Sequence, residues 1–141
     1  SVFGKIDVGD AYLAVSQSSV EAEKIDLVND PDVQPGGDGV RVGSWIFTAQ
    51  NQAPGTEYTV DYDTVALSSS TANGSSYAFT VSEVVDLENT VGYSNGVVSF
   101  DDNGARNITQ GLLVNLVTAI PAGATPANDF VGTITITLTK N

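Results

Sequence analysis

Near the end of the chain, Phe130, Ile134, Ile136 and Leu138 alternate with Val131, Thr133, Thr135, Thr137 and Thr139. A period of two sends one set of side chains to a buried face and the other to water, so the pattern demands a half-buried β-strand. The same period recurs upstream. Tyr58, Val60 and Tyr62 alternate with Thr59, Asp61 and Asp63, and Tyr77, Phe79 and Val81 make a further run. Val65 and Leu67 continue the Tyr58 run on the opposite phase, which predicts a bulge near Asp63 and Thr64. Residues 40–49 carry Val40, Val42 and Ile46 on one face and Trp45 and Phe47 on the other. A strand bulky on both faces belongs near the middle of two packed layers.

Turn-forming residues separate these runs. Residues 30–39 are a loop by composition, and Asn73-Gly74 sits in a small polar loop over 68–76. Ser94-Asn95-Gly96 lies between Val91 and Tyr93 on one side and Val98 and Phe100 on the other. That is a hairpin signal, because Asn-Gly accepts positive φ. Residues 101–107 read as a turn, 112–120 as a buried strand and 121–129 as a loop. Towards the N-terminus, residues 2–8 and 11–15 read as strands. Residues 18–24 are the one helical turn expected, with Ser18 and Glu21 at capping-box spacing, and 25–28 return to strand character. About eight short strands between such turns predict an all-β fold, a single Ig-like or jelly-roll-like β-sandwich with Greek-key-type connections. A chain of 141 residues suffices for one core.

Composition narrows the function. Five Lys and Arg stand scattered against 17 carboxylates, for a net charge of −12. Phosphate backbones are bound by clustered cations, so nucleic acid is not an expected partner. The chain has no Cys and no His. That removes disulfides, thiolate nucleophiles, Ser-His dyads and the usual zinc sites, and the chain is not expected to be an enzyme. No run reaches the roughly 18 apolar residues of a membrane-spanning helix, so membrane insertion is not expected either. There is also no Met. The expectation is an extracellular, cell-surface protein whose signal peptide has been removed.

Both termini are good β sequence, and terminal strands need something to pair with. Val2, Gly4, Ile6 and Val8 alternate with Phe3, Lys5 and Asp7. The division expected is an N-terminal donor strand at 1–9 and a pilin-like sandwich at 10–141. The donor strand would complete a neighbouring subunit's sheet, its backbone extending the ladder while alternate side chains fill pockets. Burying three apolar side chains contributes about 5–9 kcal/mol. Repeated head to tail, such a contact does not close and gives a homopolymer. The competing reading is that residues 1–8 are the first strand of their own sandwich.

On these residues the sequence resembles two groups of donor-strand-assembled surface fibres. Residues 24–30 (Lys-Ile-Asp-Leu-Val-Asn-Asp), Pro35-Gly36-Gly37-Asp38, Asn51 and Glu57-Tyr58-Thr59-Val60 resemble the leucine–aspartate strand, Pro-Gly-Asp turn and Asn-ended strand of TasA/camelysin-like biofilm fibre and archaeal bundling-pilus subunits. Gly37 is an extra residue against that pattern. Pro121-Ala122-Gly123 and residues 130–138 resemble the closing loop and strand of chaperone–usher and spore-coat-U-like pilins, without the Tyr those often carry near the C-terminus. Both resemblances imply a secreted sandwich that polymerises by strand donation. The alternative is a monomeric secreted module that binds carbohydrate or calcium.

No cofactor is expected other than calcium. Its candidate ligands are Asp101, Asp102 and Asn103 in a turn, and Asp61 with Asp63 on one strand face, because calcium takes oxygen ligands. The competing reading is solvated turns and faces. Asn73-Gly74-Ser75 and Asn107-Ile108-Thr109 are glycosylation sequons, read as lying in loops or at loop edges. Trp45, Phe47, Tyr58 and Tyr62 could make an aromatic platform for carbohydrate, but core packing is the reading favoured.

Overall fold

The computed structural model describes residues 25–84 and 89–141 with their side chains, and residues 2–6 and 13–19 as backbone. The strands are β1 (Val2–Ile6), β2 (Leu13–Ser19), β3 (Val40–Ala49), β4 (Glu57–Ser69), β5 (Ser75–Tyr77), β6 (Phe79–Val84), β7 (Tyr93–Ser94), β8 (Val97–Ser99), β9 (Arg106–Leu116) and β10 (Val131–Lys140). They form two sheets. A six-stranded sheet runs β1-β10-β4-β8-β7 with β5 also on β4, and a four-stranded sheet runs β2-β3-β9-β6. Among the described residues every strand pair is antiparallel except β1 on β10. The chain crosses repeatedly between the sheets, and no helix occurs among the described residues. This is the all-β sandwich that the alternation demands.

The core lies between the sheets. Ile134, Ile136 and Leu138 of β10 and Tyr58 and Val60 of β4 face Trp45, Phe47 and Ala49 of β3 and Ile108, Leu112, Val114 and Leu116 of β9. Three tilted or edge-on ring contacts join Phe47, Tyr58 and Phe100, with centroids about 6 Å apart. Trp45, Phe47 and Tyr58 are buried, and Tyr62 packs against the same cluster. The four aromatics are therefore core, not a platform.

Several local expectations are corrected. The phase slip in β4 falls later than Asp63 and Thr64. Thr133 pairs with Val65 but Val131 pairs with Ser68, so the extra residue lies between Val65 and Ser68. Val65 is consequently exposed, whereas Leu67 packs against the core. A second shift, between Arg41 and Gly43 in β3, explains bulk on both faces there. Val40 and Val42 pack against the core before it, Trp45 and Phe47 after it, so one strand changes phase instead of burying both faces.

The run from Tyr77 to Val81 is not one strand. Tyr77 pairs with Leu67 in the larger sheet and Phe79 with Leu116 in the smaller. The chain changes sheets at Ala78 while alternation continues, because both segments point inward to the same core. The buried strand expected at 112–120 is β9, which begins at Arg106 and ends at Leu116. Polar Gln110 at a core position hid its first half. The helical turn expected from Ser18 is not formed at its start, since Ser18 and Ser19 belong to β2 and pair with Ser44 and Gly43; residues 20–24 lie outside the described residues. Residues 27–29 form a turn, not a strand. Its cause is Asp26, whose carboxylate accepts the backbone N–H groups of Val28 and Asn29 at 3.1 and 3.0 Å. The loop expected at 68–76 shrinks to 70–74, because β4 runs to Ser69 and β5 starts at Ser75. Asn95 and Gly96 make the expected hairpin turn, with φ of 52° and 77°.

Candidate functional site: the β10 edge and the polar clusters

β10 is a ten-residue strand that carries no charge before Lys140. β4 covers one edge and β1 covers the other, with Val2 opposite Ile134, Gly4 opposite Ile136 and Ile6 opposite Leu138. Val2, Gly4 and Ile6 therefore stand in register with the three inward-facing residues of β10. In this single chain the pairing is intramolecular. Val8, the fourth donor-strand candidate, lies outside the described residues. At the end where β10 begins, Ile25, Val42, Leu67, Phe79, Val114 and Ile134 line an apolar cavity of about 90 Å³ between the sheets.

A polar cluster braces the two sheets. The Trp45 indole N–H donates to the Tyr62 hydroxyl at 2.7 Å, and Tyr62 donates to Glu83 Oε2 at 2.5 Å. Tyr93 donates to the same carboxylate oxygen and stacks edge-on to Trp45 at 5.4 Å. Trp45 and Glu83 come from the smaller sheet, Tyr62 and Tyr93 from the larger. Burial, reinforced by the Glu83 carboxylate, pushes both tyrosine hydroxyls well above their usual ionisation range. This cluster escaped the sequence reading. Glu83 standing two residues beyond Val81, on the same face of a strand, was its only signal.

The calcium candidates separate into two places. Asp61 and Asp63 are exposed on the outer face of β4, opposite Thr137 and Thr135. The Asp101 carboxylate is engaged in the turn before β9. One oxygen accepts the Asn103 N–H at 2.9 Å and the other pairs with the Arg106 guanidinium at 2.9 Å. Burial opposes its ionisation, but the N–H groups of Ala105 and Asn103 and the Arg106 charge outweigh that and hold the carboxyl below its usual range. Asp102 and Asn103 are exposed in the same turn. No cluster of three or more acidic, His or Cys side chains suited to a metal occurs among the described residues.

Asn73 lies in an exposed turn at φ 58°. Asn107 is not at a loop edge but inside β9, paired with Thr48, with its side chain exposed. A second carboxylate does mechanical work. Asp129 accepts hydrogen bonds from Ser69 and from Thr71 at 2.7 Å, which ties the loop before β10 to the β4–β5 turn. The Ser69 and Thr71 hydroxyls hold its carboxyl below the usual range.

Fold and sites together define an all-β sandwich whose conspicuous feature is a sheet edge closed by the N-terminal strand. No family model matches the chain, and neither a curated protein nor a solved structure matches it.

Proposed function

We propose that the chain is a structural subunit of an extracellular filament, a pilus or biofilm-matrix fibre, that polymerises head to tail by strand donation. The supporting observation is the pairing of β1. Among the described strands it is the one parallel neighbour in two otherwise antiparallel sheets, and it covers the apolar edge of β10 in register. Parallel pairs are slightly less stable per residue than antiparallel ones, so this pairing is easier to reopen than an antiparallel one of equal length. Residues 7–12 connect β1 in one sheet to β2 in the other. Release of β1 therefore breaks none of the hydrogen-bonded pairing of β2 with β3. In the free subunit β1 closes its own β10 edge; in the filament the β1 of the next subunit takes that place. Exchange of an identical element costs few contacts, and a heterologous exchange propagates. The acidic surface and the lack of Cys and His fit a structural, non-catalytic role outside the cell.

The test uses two single variants, Phe3→Cys and Thr135→Cys, at positions that face each other in the β1–β10 register. Mixed, assembled and oxidised, they are expected to give a cross-linked heterodimer, because the paired Cα atoms lie within disulfide reach. Deleting residues 1–8 is expected to leave soluble, unassembled protein. Filaments unchanged in electron micrographs after the deletion, with no intermolecular cross-link, would refute strand donation. The intramolecular β1–β10 pairing also suits a monomeric carbohydrate- or calcium-binding module. Light scattering that gives one subunit mass at all concentrations would favour that second reading.

A further inference from the structure

At the end of the sandwich opposite the apolar cavity, an open cleft of about 580 Å³ lies where β3 ends and β9 begins. Four asparagines converge there from separate parts of the chain: Asn51 after β3, Asn89 after β6, Asn103 in the turn before β9 and Asn107 on β9. Asn89 is structural. Its amide donates to the Asn107 carbonyl at 2.5 Å and its carbonyl accepts the Val91 N–H at 3.3 Å, fixing the wall of the cleft. The side-chain amides of Asn51, Asn103 and Asn107 make no hydrogen bond among the described residues, and all three are exposed. Arg106 also lines the cleft, but its charge is spent on Asp101 at 2.9 Å and its Nε on the Ser99 carbonyl at 2.6 Å. Val91, 71% exposed, adds an apolar patch beside the amides.

We infer that this cleft binds a neutral oligosaccharide. An amide offers a donor and an acceptor side by side, as a pair of vicinal hydroxyls does. Val91 gives the apolar C–H face of a sugar ring something to cover. Anionic ligands are disfavoured, because the one cation in the cleft is already neutralised and the chain carries −12 overall. The volume falls in the range of small-molecule sites. None of this depends on strand donation, since the cleft residues all lie outside β1 and β10.

The full chain labelled with ¹⁵N is titrated with millimolar maltotriose, cellotriose, tri-N-acetylchitotriose and mannotriose, and with a sulfated disaccharide. At least one neutral sugar is expected to shift the side-chain amide signals of Asn51, Asn103 and Asn107 selectively. Its affinity should fall about tenfold in the double variant Asn51→Gly/Asn103→Ala, which deletes two hydrogen-bonding amides. Glycine at 51 keeps the positive φ of 61°. The undisturbed remainder of the spectrum reports that the variant folds. The inference is overturned if no neutral sugar shifts these signals, if binding survives the double substitution, or if the sulfated sugar binds as well as the neutral ones.

Discussion

Replacing Glu83 with leucine tests whether the Trp45–Tyr62–Glu83–Tyr93 cluster holds the two sheets together. One carboxylate oxygen accepts both tyrosine hydroxyls. Leucine leaves two hydroxyls without acceptors, each worth about 1–3 kcal/mol when buried. Tyr62 and Tyr93 are only partly buried, so water recovers some of that, and the expected loss is about 2–4 kcal/mol. Glu83→Gln keeps an acceptor but replaces charge-assisted bonds by neutral ones, for a loss of about 1–2 kcal/mol. Urea unfolding followed by Trp45 fluorescence measures both, since Trp45 is the sole tryptophan. In a Tyr62→Phe/Tyr93→Phe background, Glu83→Leu should cost little, because the partners are already gone. An apolar substitute for a buried charge can also stabilise a protein. If Glu83→Leu proves neutral or stabilising, or costs the same with and without the tyrosines, the brace is not a brace.

The same hydroxyls predict alkaline sensitivity. Their folded ionisation is raised above the unfolded value near 10, so their contribution is complete below about pH 10 and falls as pH rises further, by at most about 1.4 kcal/mol per pH unit for Tyr62 and by less for the half-exposed Tyr93, where solvent screens the effect. A urea midpoint that stays flat from pH 9 to 11 in the wild type would refute it, and the double Phe variant should show a shallower slope. Gly104→Ala should be more damaging than a surface substitution. Gly104 has φ 63°, and an added Cβ would sit 2.1 Å from the Gln52 carbonyl oxygen. The left-handed backbone alone costs about 1–2 kcal/mol, so a drop in the urea midpoint equivalent to less than 1 kcal/mol would contradict the close approach of the 52 and 104 loops.

The fold class was legible because alternation reports burial directly. The residues 134, 136 and 138 predicted inward from the sequence are the inward residues of β10, and Asn95-Gly96 is the turn it announces. What failed were changes that alternation does not encode. Tyr77 and Phe79 keep one phase while the chain changes sheets, since two sheets facing one core share an inward direction. The bulges after Val65 and at Arg41/Gly43 shift phase at positions fixed by the partner strand, not by local residue type. Leu27 and Val28 have strand-like side chains, yet Asp26 captures two backbone N–H groups and turns the chain. Of the candidate sites, the Asp61/Asp63 face was readable from spacing alone. The asparagine cleft was not, because Asn51, Asn89, Asn103 and Asn107 meet only through tertiary structure.

The edges of the two sheets differ in how they resist unwanted pairing, and that difference bears on assembly. β7 is two residues long, too short to template another chain. β2 reads Ser-Gln-Ser-Ser over its last four residues, and β6 carries Thr80, Ser82 and Glu83. These are blunt or polar edges. β10 is the exception behind β1. Val-Gly-Thr-Ile-Thr-Ile-Thr-Leu-Thr has high β propensity and no charge, the composition that pairs most readily once uncovered. With β4 on one side and β1 on the other, such a strand needs no charge of its own while β1 stays paired. Under the strand donation proposed above, the same uniform apolar and threonine character would let a second copy of β1 take the place of the first along this edge.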